Sequence, residues 1–390
     1  MHDLQDSLRS LENYIEKEKY QGYDCYDALN SPLLSFLSFK DKRLRIAYIQ
    51  ALKILPFNLR SLLLVPKGYN PKGLGLLLSA VSNLWKTTAD KNYLKKLEFL
   101  TKLLIECSSK GYSGNCWGYN FDWQSRVFFV PKYTPTIVNT SYVGHAFLDA
   151  FASTKNDEYL RVARSACDFI LKDLNRAYEG DTLCFSYTPI DRLQVHNANI
   201  LGGGLLARVF SYTGEEELRE TAKRSVTYVM QYQNHDGSWY YAQTNIQKWI
   251  DSFHTGFVLE SLKHYIDSTG DTGFQKNLKT GFDFFVNHFF LEDGIPKYFH
   301  DRVFPIDIHS AAQGLVTLTK LKHMHIEAVA KRDRLLQWVI GTMQGQKGYF
   351  YFQKRKYFTN KIPYMRWSQA WMYHALALCV CDQKNNQGVA

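Results

Sequence analysis

The sequence predicts an all-α protein built from repeated helical hairpins. A polar residue followed five positions later by a small residue recurs along the chain, and an apolar run with helical periodicity follows it. Successive copies are spaced by roughly 55–70 residues, which is enough for one helix–loop–helix unit. The connecting segments are rich in aromatic residues and contain Asp-Gly turns, such as Asp236-Gly237, which favour short β-hairpins.

The polar residues that open the inner helix of each unit define the repeat. With their fifth-position partners they are Asn70/Gly75, Asn139/Gly144, Asn197/Gly202, Asp251/Gly256, Asp307/Ala312 and Arg366/Trp371. Asn and Asp are favoured helix N-caps, and a small residue lets a neighbouring backbone approach closely. Common caps could align by chance, but the order of cap, small residue and apolar helix holds in five of the six units. We therefore interpret the pattern as a structural repeat.

Composition narrows the class of partner. The chain has 390 residues, of which 15% are aromatic, and a formal net charge of +10. That charge favours an anionic partner, such as an acidic polysaccharide or an anionic lipid surface. Nucleic acid fits poorly because the basic residues are spread out and no nucleic-acid-binding motif occurs.

The expected location is cytoplasmic. The seven scattered cysteines contain no CxxC pair, which predicts reduced thiols. The first twenty residues predict a charged helix rather than a secretion signal, and no apolar run approaches the ~20 residues that span a bilayer.

Three segments are expected along the chain. Residues 1–39 predict an N-terminal capping helix and lead-in, residues 40–382 the single repeat domain, and residues 383–390 a polar tail. Basic residues are concentrated in residues 40–72 and alternate with apolar ones at helical spacing. The favoured interpretation is an outer helix with a solvated basic face. The alternative is peripheral membrane contact through residues 40–60.

The loop before the second repeated helix is the richest in aromatic residues. Trp117, Tyr119, Phe121 and Trp123 alternate with small or polar residues, and Asp122 and Arg126 accompany them. Such a face could stack on sugar rings while the charged groups bind hydroxyls or acids. A β-hairpin that packs its aromatic side chains into the core would have the same pattern, and both interpretations remain open.

Two further loops carry candidate site residues. One supplies Tyr187, Asp191, Arg192 and His196 before the third repeated helix. The other supplies Trp239, Tyr241, Lys248 and Trp249 before the fourth. A histidine at a helix start is not a favoured cap, which points to function, although a structural role for His196 is equally compatible.

Carboxylate–histidine pairs open the fourth and fifth units. They are Asp251 with His254 and Asp307 with His309. A metal site is one interpretation, but the two spacings differ and no HExxH string occurs. We favour acid–base chemistry, in which burial raises the pKa of one carboxyl group, and we predict no metal or other cofactor.

The repeated hairpins with aromatic loops resemble the six-hairpin (α/α)6-toroid superfamily of glycosidases, unsaturated uronyl hydrolases, lyases and epimerases. The Trp117–Arg126 loop with residues 134–149 is most similar to members associated with exopolysaccharide biosynthesis, whose role is poorly defined. The resemblance implies a central funnel where the inner helices begin. The implied catalytic residues are Asp122, Asp191, His196, Asp251, His254 and Asp307. The implied substrate-binding residues are Trp117, Trp123, Arg126, Tyr187, Arg192, Trp239, Tyr241, Lys248, Trp249, His309, Arg366 and Trp367.

The favoured function is hydrolysis of an anionic cell-surface oligo- or polysaccharide or its precursor. The alternatives are a uronate lyase or epimerase, or a glycan-binding scaffold of polysaccharide synthesis. A further alternative rests on Gln233–Trp239, which resembles the QxxDGSW repeat of terpene cyclases. That interpretation is weaker because neither DxDD nor DDxxD occurs.

Overall fold

Fourteen α-helices account for most of the chain described by the computed structural model, residues 4–387. The strands in this part of the chain are only two to four residues long. The prediction of an all-α protein is confirmed.

Six inner helices form a closed ring. They are α4 (Pro71–Thr88), α6 (Ile137–Thr154), α8 (His196–Thr213), α10 (Ser252–Thr269), α12 (Ile308–Lys320) and α14 (Trp371–Gln387). Each packs on the next, and α14 packs back on α4. Because α14 returns to α4, the helix starts that are distant in sequence surround one axis.

An outer helix covers each inner one. Five of them follow their inner partner in sequence: α5 (Lys91–Glu106), α7 (Asp157–Lys172), α9 (Glu216–Gln231), α11 (Gln275–His288) and α13 (Ala328–Met343). The sixth comes from the other end of the chain, since α1 (Leu4–Lys17) packs on α14. The chain therefore has the predicted (α/α)6-toroid architecture, and its first helix pairs with its last.

The strands lie in the connections that lead from an outer helix to the next inner helix. β1 (Trp123–Gln124) pairs with β2 (Phe129–Val130), and β3 (Arg176–Glu179) pairs with β4 (Thr182–Phe185). β5 (Ile306–Asp307), β6 (Gln353–Lys354) and β7 (Thr359–Asn360) form a three-stranded antiparallel sheet. These connections surround the end of the ring where the inner helices begin, as the sequence predicted.

The predicted helix openers are only partly N-caps. Asn70, Asp251 and Asp307 accept hydrogen bonds from first-turn backbone amides, which confirms them as caps. At α6 the cap is Thr136, and α8 begins at His196 after Val195, so Asn139 and Asn197 lie inside the first turn. Arg366 lies in a π-helical segment, Met365–Ala370, that leads into α14.

Residues 20–66, termed the cap, lie over the same end of the ring. They include α2 (Pro32–Leu37) and α3 (Lys42–Ile54) and have a small core of their own, formed by Ala28, Leu29, Leu34, Ile49 and Leu52. The Asn30 amide donates to the Asn120 carbonyl beside the β1–β2 hairpin, and the Asn360 amide donates to the Leu55 carbonyl. The cap thus spans the space between the two largest loops.

The predicted solvated basic face of residues 40–72 is only partly present. Arg60 is fully buried and bonds Asp27 and Tyr364, Lys72 is buried in the ring, and Lys53 is half-buried against Tyr26. These cations point inward because their partners lie on other elements, which helical periodicity cannot reveal.

At the C-terminus, α14 extends to Gln387, so residues 383–387 of the predicted polar tail continue the helix. Residues 388–390 of that tail lie outside the described part. Among the described residues, no helix combines the length and apolar character that crossing a bilayer requires.

Candidate active site

A carboxylate–histidine pair stands at the start of α10. The Asp251 side chain accepts a hydrogen bond from the His254 backbone amide at 3.0 Å, and its other oxygen lies 2.7 Å from His254 Nδ1. The Trp249 indole donates to that same oxygen at 2.8 Å. Since a carboxylate only accepts, Nδ1 carries the proton and Nε2 is the nitrogen left for chemistry. Asp251 is buried, whereas the His254 side chain is 22% exposed.

His254 borders a small cavity. Its lining includes Asn197, Tyr241, Trp249, Asp251 and Thr255. The centre of a water molecule can move within a volume of about 10 Å³ inside it. Tyr241 and Trp249 stack with ring centroids 4.5 Å apart, and Tyr241 meets the His254 ring edge-on at 4.6 Å. A cavity of this volume holds about one water molecule, far less than a sugar ring.

A second histidine, His309 in the first turn of α12, lies fully buried in an aromatic box. Its ring centroid is 4.4 Å from Trp371, 4.5 Å from Trp367 and 4.6 Å from Phe253. Within the described residues, neither ring nitrogen has a hydrogen-bond partner. Burial, with smaller contributions from the charges of Lys72 and Arg366, lowers the pKa of His309 well below its usual value. His309 is therefore neutral at neutral pH.

Both histidines face the same aromatic pair. Phe253 lies 4.3 Å from the His254 ring centroid and 4.6 Å from that of His309, and Phe257 lies 5.6 and 5.8 Å from them. The closed ring of helices thus brings together two imidazoles from consecutive repeats.

Lys72, at the start of α4, completes this group from the opposite side of the ring. It is buried, and its ammonium lies 4.2 Å from the Tyr142 ring centroid, 4.8 Å from Phe257 and 5.3 Å from Trp371. Burial, followed by the nearby charge of Arg366, lowers its pKa well below the usual range. Such a lysine can lose its proton more readily than one in water.

Asp307 supports this group rather than facing a cavity. It is fully buried and accepts hydrogen bonds from the His309 backbone amide, the Trp367 indole and the Gln353 side chain at 2.8–2.9 Å. Burial raises the pKa of its carboxyl group, and these hydrogen bonds oppose the shift. Its position orients both His309 and Trp367.

Arg366 is already neutralised. Its Nε and Nη2 donate to the two carboxylate oxygens of Asp24, in the cap, at 2.6 and 2.7 Å, and both side chains are buried. The guanidinium also lies 5.2 Å from the ring centroids of Tyr119 and Trp367. The resemblance implied that Arg366 binds the substrate, whereas here the protein itself supplies a carboxylate partner for it.

Three other predicted acid–base residues are engaged within loops. Asp191 accepts four hydrogen bonds from Tyr187, Thr188 and Leu193. Asp122 accepts from the Lys132 amide across the β1–β2 hairpin. The two ring nitrogens of His196 lie 2.8 Å from the Tyr240 carbonyl and from the Gln243 amide. The contacts of Asp191 and His196 fit loop ordering, because they leave little capacity for a substrate, whereas the contact of Asp122 engages only its Oδ1.

The predicted aromatic and basic ligands are distributed over four places. Trp117 and Trp239 are buried in the core with their indoles bonded to backbone carbonyls, where their faces are inaccessible to a sugar. Tyr187 and Trp123 lie 6.0 Å apart beneath the cap. Arg126, Arg192 and Lys248 are exposed on the rim. Of the predicted stacking residues, Trp239, Tyr241 and Trp249 border the water-sized cavity beside His254.

Sequence reasoning missed four residues of this group: Lys72, Asp24, Tyr26 and Phe253. Tyr26 packs edge-on against Trp367 at 5.5 Å and accepts from the Lys53 ammonium at 2.7 Å. Lys72 and Phe253 had a usable signal, because each lies two residues after a predicted opener, Asn70 and Asp251. Asp24 and Tyr26 precede the repeat, and no periodic pattern indicates their contacts.

Comparison with known proteins shows similarity in fold alone. Neither a protein-family model nor a curated protein matches the sequence. Cellobiose 2-epimerase from Bacillus thermoamylovorans superposes with a TM-score of 0.63 at 11% identity, covering 81% of this chain and 88% of its own. A GH76 α-mannanase from Bacteroides thetaiotaomicron gives 0.63 at 10% identity, covering 82% and 88%.

The Lin0763 protein from Listeria innocua is similar over a longer stretch. It gives a TM-score of 0.65 at 10% identity and covers 97% of each chain. These identities are too low to transfer an activity. They agree with the (α/α)6-toroid fold, which also occurs in an unsaturated glucuronyl hydrolase specific for heparin at 14% identity.

Proposed function

We propose that the protein is a carbohydrate-active enzyme that moves a proton on a sugar, with His254 and His309 as its two acid–base groups. The observation that carries the proposal is the 2.7 Å contact between Asp251 and His254 Nδ1, which leaves Nε2 free beside a cavity. A neutral imidazole that is oriented by a carboxylate can act as a general base.

The reaction class follows from the two imidazoles. One removes the proton from the carbon next to the aldehyde of an open-chain sugar, and the electron pair moves to the carbonyl oxygen to give an enediolate. The other returns a proton to the same carbon from the opposite face, which inverts its configuration. His309 suits this exchange because its lowered pKa leaves it neutral and both its nitrogens lack protein partners within the described residues.

Several structural neighbours support this class. They include two cellobiose 2-epimerases, a sugar epimerase from a ruminal bacterium and a D-mannose isomerase, beside mannanases and a glucuronyl hydrolase. This support is an analogy of fold, because their sequences are at most 14% identical to this chain.

Glycoside hydrolysis, which the sequence favoured, remains the second candidate. It needs two carboxyl groups about 5–9.5 Å apart across the scissile bond. Both oxygens of Asp191 accept hydrogen bonds from backbone and hydroxyl donors of its own loop, and Oδ1 of Asp122 accepts one from the Lys132 amide. Burial raises the pKa of the Asp307 carboxyl group, as a general acid requires, but its two oxygens also accept hydrogen bonds, from His309, Trp367 and Gln353.

Substrate entry requires the cap or its neighbouring loops to move outward, and it requires Phe253, whose ring packs against both imidazoles, to turn aside. With the Asp24–Arg366 contact formed, the space beside His254 admits about one water molecule. An anionic substrate could replace Asp24 as the partner of Arg366. The proton transfer described above needs an open-chain aldehyde, so the substrate that we propose is a sugar with a free reducing end. Neutral and acidic members of that class are both tested.

The experiment measures exchange of the C2 proton by NMR in heavy water. Mannose, cellobiose and a glucuronate-containing disaccharide serve as substrates. We expect deuterium at C2 with at least one of them, and a rate lower by about 10²–10⁴-fold in His254→Asn. Asp251→Asn lowers the rate as well, because the imidazole loses its orienting partner.

His235→Asn, at an exposed histidine in the turn before Trp239, is the matched control and leaves the rate unchanged. Release of a smaller sugar without deuterium at C2 would instead support hydrolysis. Binding of the sugars without exchange or cleavage would support the glycan-binding alternative and contradict our proposal.

A further inference from the structure

The outer surface of the cap exposes an unusual number of large apolar side chains. Phe36 and Leu62 are each 76% exposed, Phe39 is 75% exposed, and Phe57 and Leu64 are each more than 60% exposed. Leu33, Leu37, Leu44 and Ile54 are also exposed. Single exposed apolar residues are normal on a protein surface, whereas a cluster of this size marks an interaction site.

The exposed residues of α2 lie beside α3 and beside the segment that contains Leu62 and Leu64. The Phe36 and Phe39 ring centroids are 6.3 Å apart, and the Tyr48 hydroxyl on α3 donates to the Leu37 carbonyl on α2. The Ser31 hydroxyl donates to the Leu63 carbonyl, which brings the segment containing Leu62 and Leu64 beside α2.

The cap does not need this surface for its own folding. Its inward side buries Leu29, Leu34, Ile49 and Leu52 in a separate core and holds the Asp24–Arg366 and Asp27–Arg60 ion pairs. The exposed aromatic rings of Phe36, Phe39 and Phe57 take no part in that core or in these ion pairs.

Cations accompany the apolar surface. Lys40, Lys42 and Arg43 are exposed in the turn and first helical turn between α2 and α3. The neighbouring acid, Asp41, is engaged, since it accepts from the Arg43 and Leu44 backbone amides. Cations at a helix N-terminus are unfavourable to the helix, because that end carries a partial positive charge. Helix stability therefore does not explain them, whereas an external anion would.

We infer that this surface docks on an anionic phospholipid membrane. Phe36, Phe39, Phe57, Leu62 and Leu64 would enter the boundary between headgroups and acyl chains, and the three cations would contact lipid phosphates. The contact is peripheral, since no described helix is suited to span a bilayer. The inference does not depend on the proposed function, because it concerns the outer side of the cap and can be tested without any substrate.

The experiment is co-sedimentation of the full-length protein with vesicles of phosphatidylcholine alone or mixed with phosphatidylglycerol, at low and high salt. We expect binding to the mixed vesicles that weakens as salt rises, because surface charges are screened. The double variant Phe36→Ser/Phe39→Ser should lower the apparent affinity by at least about tenfold. Lys40→Glu/Lys42→Glu should remove most of the preference for the anionic lipid.

Ile326→Ser is the matched control. Ile326 is 97% exposed in the connection between α12 and α13, at the end of the ring away from the cap, so its replacement should leave binding unchanged. Circular dichroism and the thermal transition check that all variants fold. The inference is overturned if neither vesicle binds the protein, or if the double variant binds like the parent. The inference also fails if the parent protein does not bind vesicles but forms a dimer in light scattering, and if the double variant is a monomer. The surface would then pair two copies of this chain.

Discussion

At the scale of single residues, the most consequential contact joins the cap to the last repeat. Asp24 and Arg366 form two hydrogen bonds, and both side chains are buried. The Asp24 charge, together with the Tyr119 hydroxyl, raises the pKa of Arg366 above its usual value against the effect of burial. A buried pair of this kind contributes little in net terms while intact, but it is costly to break on one side.

Replacing Asp24 with Asn should therefore lower the free energy of unfolding by about 3–5 kcal/mol, because Arg366 would keep a buried charge without its counter-ion. Urea unfolding measures the change. Asp6→Asn is the control, since Asp6 and its partner Arg9 are both largely exposed and the loss there should stay below about 0.5 kcal/mol. Equal effects for the two variants would show that the Asp24–Arg366 pair is not desolvated as described.

Lys72 and His309 show how burial sets the chemistry of this site. Both are bases, and burial lowers the pKa of each. The surrounding rings of Trp371 and Phe257 exclude water from this site. Their cation–π contacts offset part of the desolvation cost of the Lys72 ammonium when it is charged. Two bases with lowered pKa values beside an oriented imidazole are typical of a functional site.

At the scale of elements, glycines set how closely the helices and loops approach. Gly281 in α11 faces the edge of the Trp239 indole, and a Cβ at this position would lie 2.5 Å from the ring. Trp239 is held in place by burial and by its bond to the Val229 carbonyl. The predicted sugar-stacking tryptophan thus anchors its loop to an outer helix.

Gly281→Ala should destabilise the protein by about 1–3 kcal/mol, because overpacking against the indole exceeds the gain in helix propensity. Thermal unfolding measures it. Gly341→Ala in α13 is the matched control, since no atom lies within 4 Å of its added methyl group. That variant should be stabilised by about 0.4–1 kcal/mol. A stabilised Gly281→Ala variant would mean that the indole can move aside.

At the scale of the whole molecule, the ring closes through its two ends. Leu4, Leu8, Leu11 and Ile15 of α1 are buried, and the Tyr373 hydroxyl on α14 bonds Glu12 at 2.5 Å. Ser7 bonds Gln344, which connects α1 to the end of α13. Without this helix, α14 would expose its outer side.

Leu11→Ala should lower the free energy of unfolding by about 2–5 kcal/mol, because Leu11 is fully buried between α1 and the ring. Denaturant unfolding of the full chain measures the effect. Arg9→Ala on the same helix, at an exposed position, should change it by less than about 0.5 kcal/mol. A small effect at Leu11 would indicate that the ring is stable without its N-terminal helix.

The sequence by itself determined the helical repeat, the closed toroid it resembles, and the helix starts that carry Asp251, His254, Asp307 and His309. Local rules suffice for these features, because helix caps and apolar periodicity are written in neighbouring residues. Only the tertiary structure decided that Asp24 neutralises Arg366, that Lys72 lies among aromatic rings, and that the Asp191 carboxylate accepts hydrogen bonds from its own loop. Burial and hydrogen-bond partners depend on residues distant in the chain, and they decide whether a carboxylate or a base remains free to react.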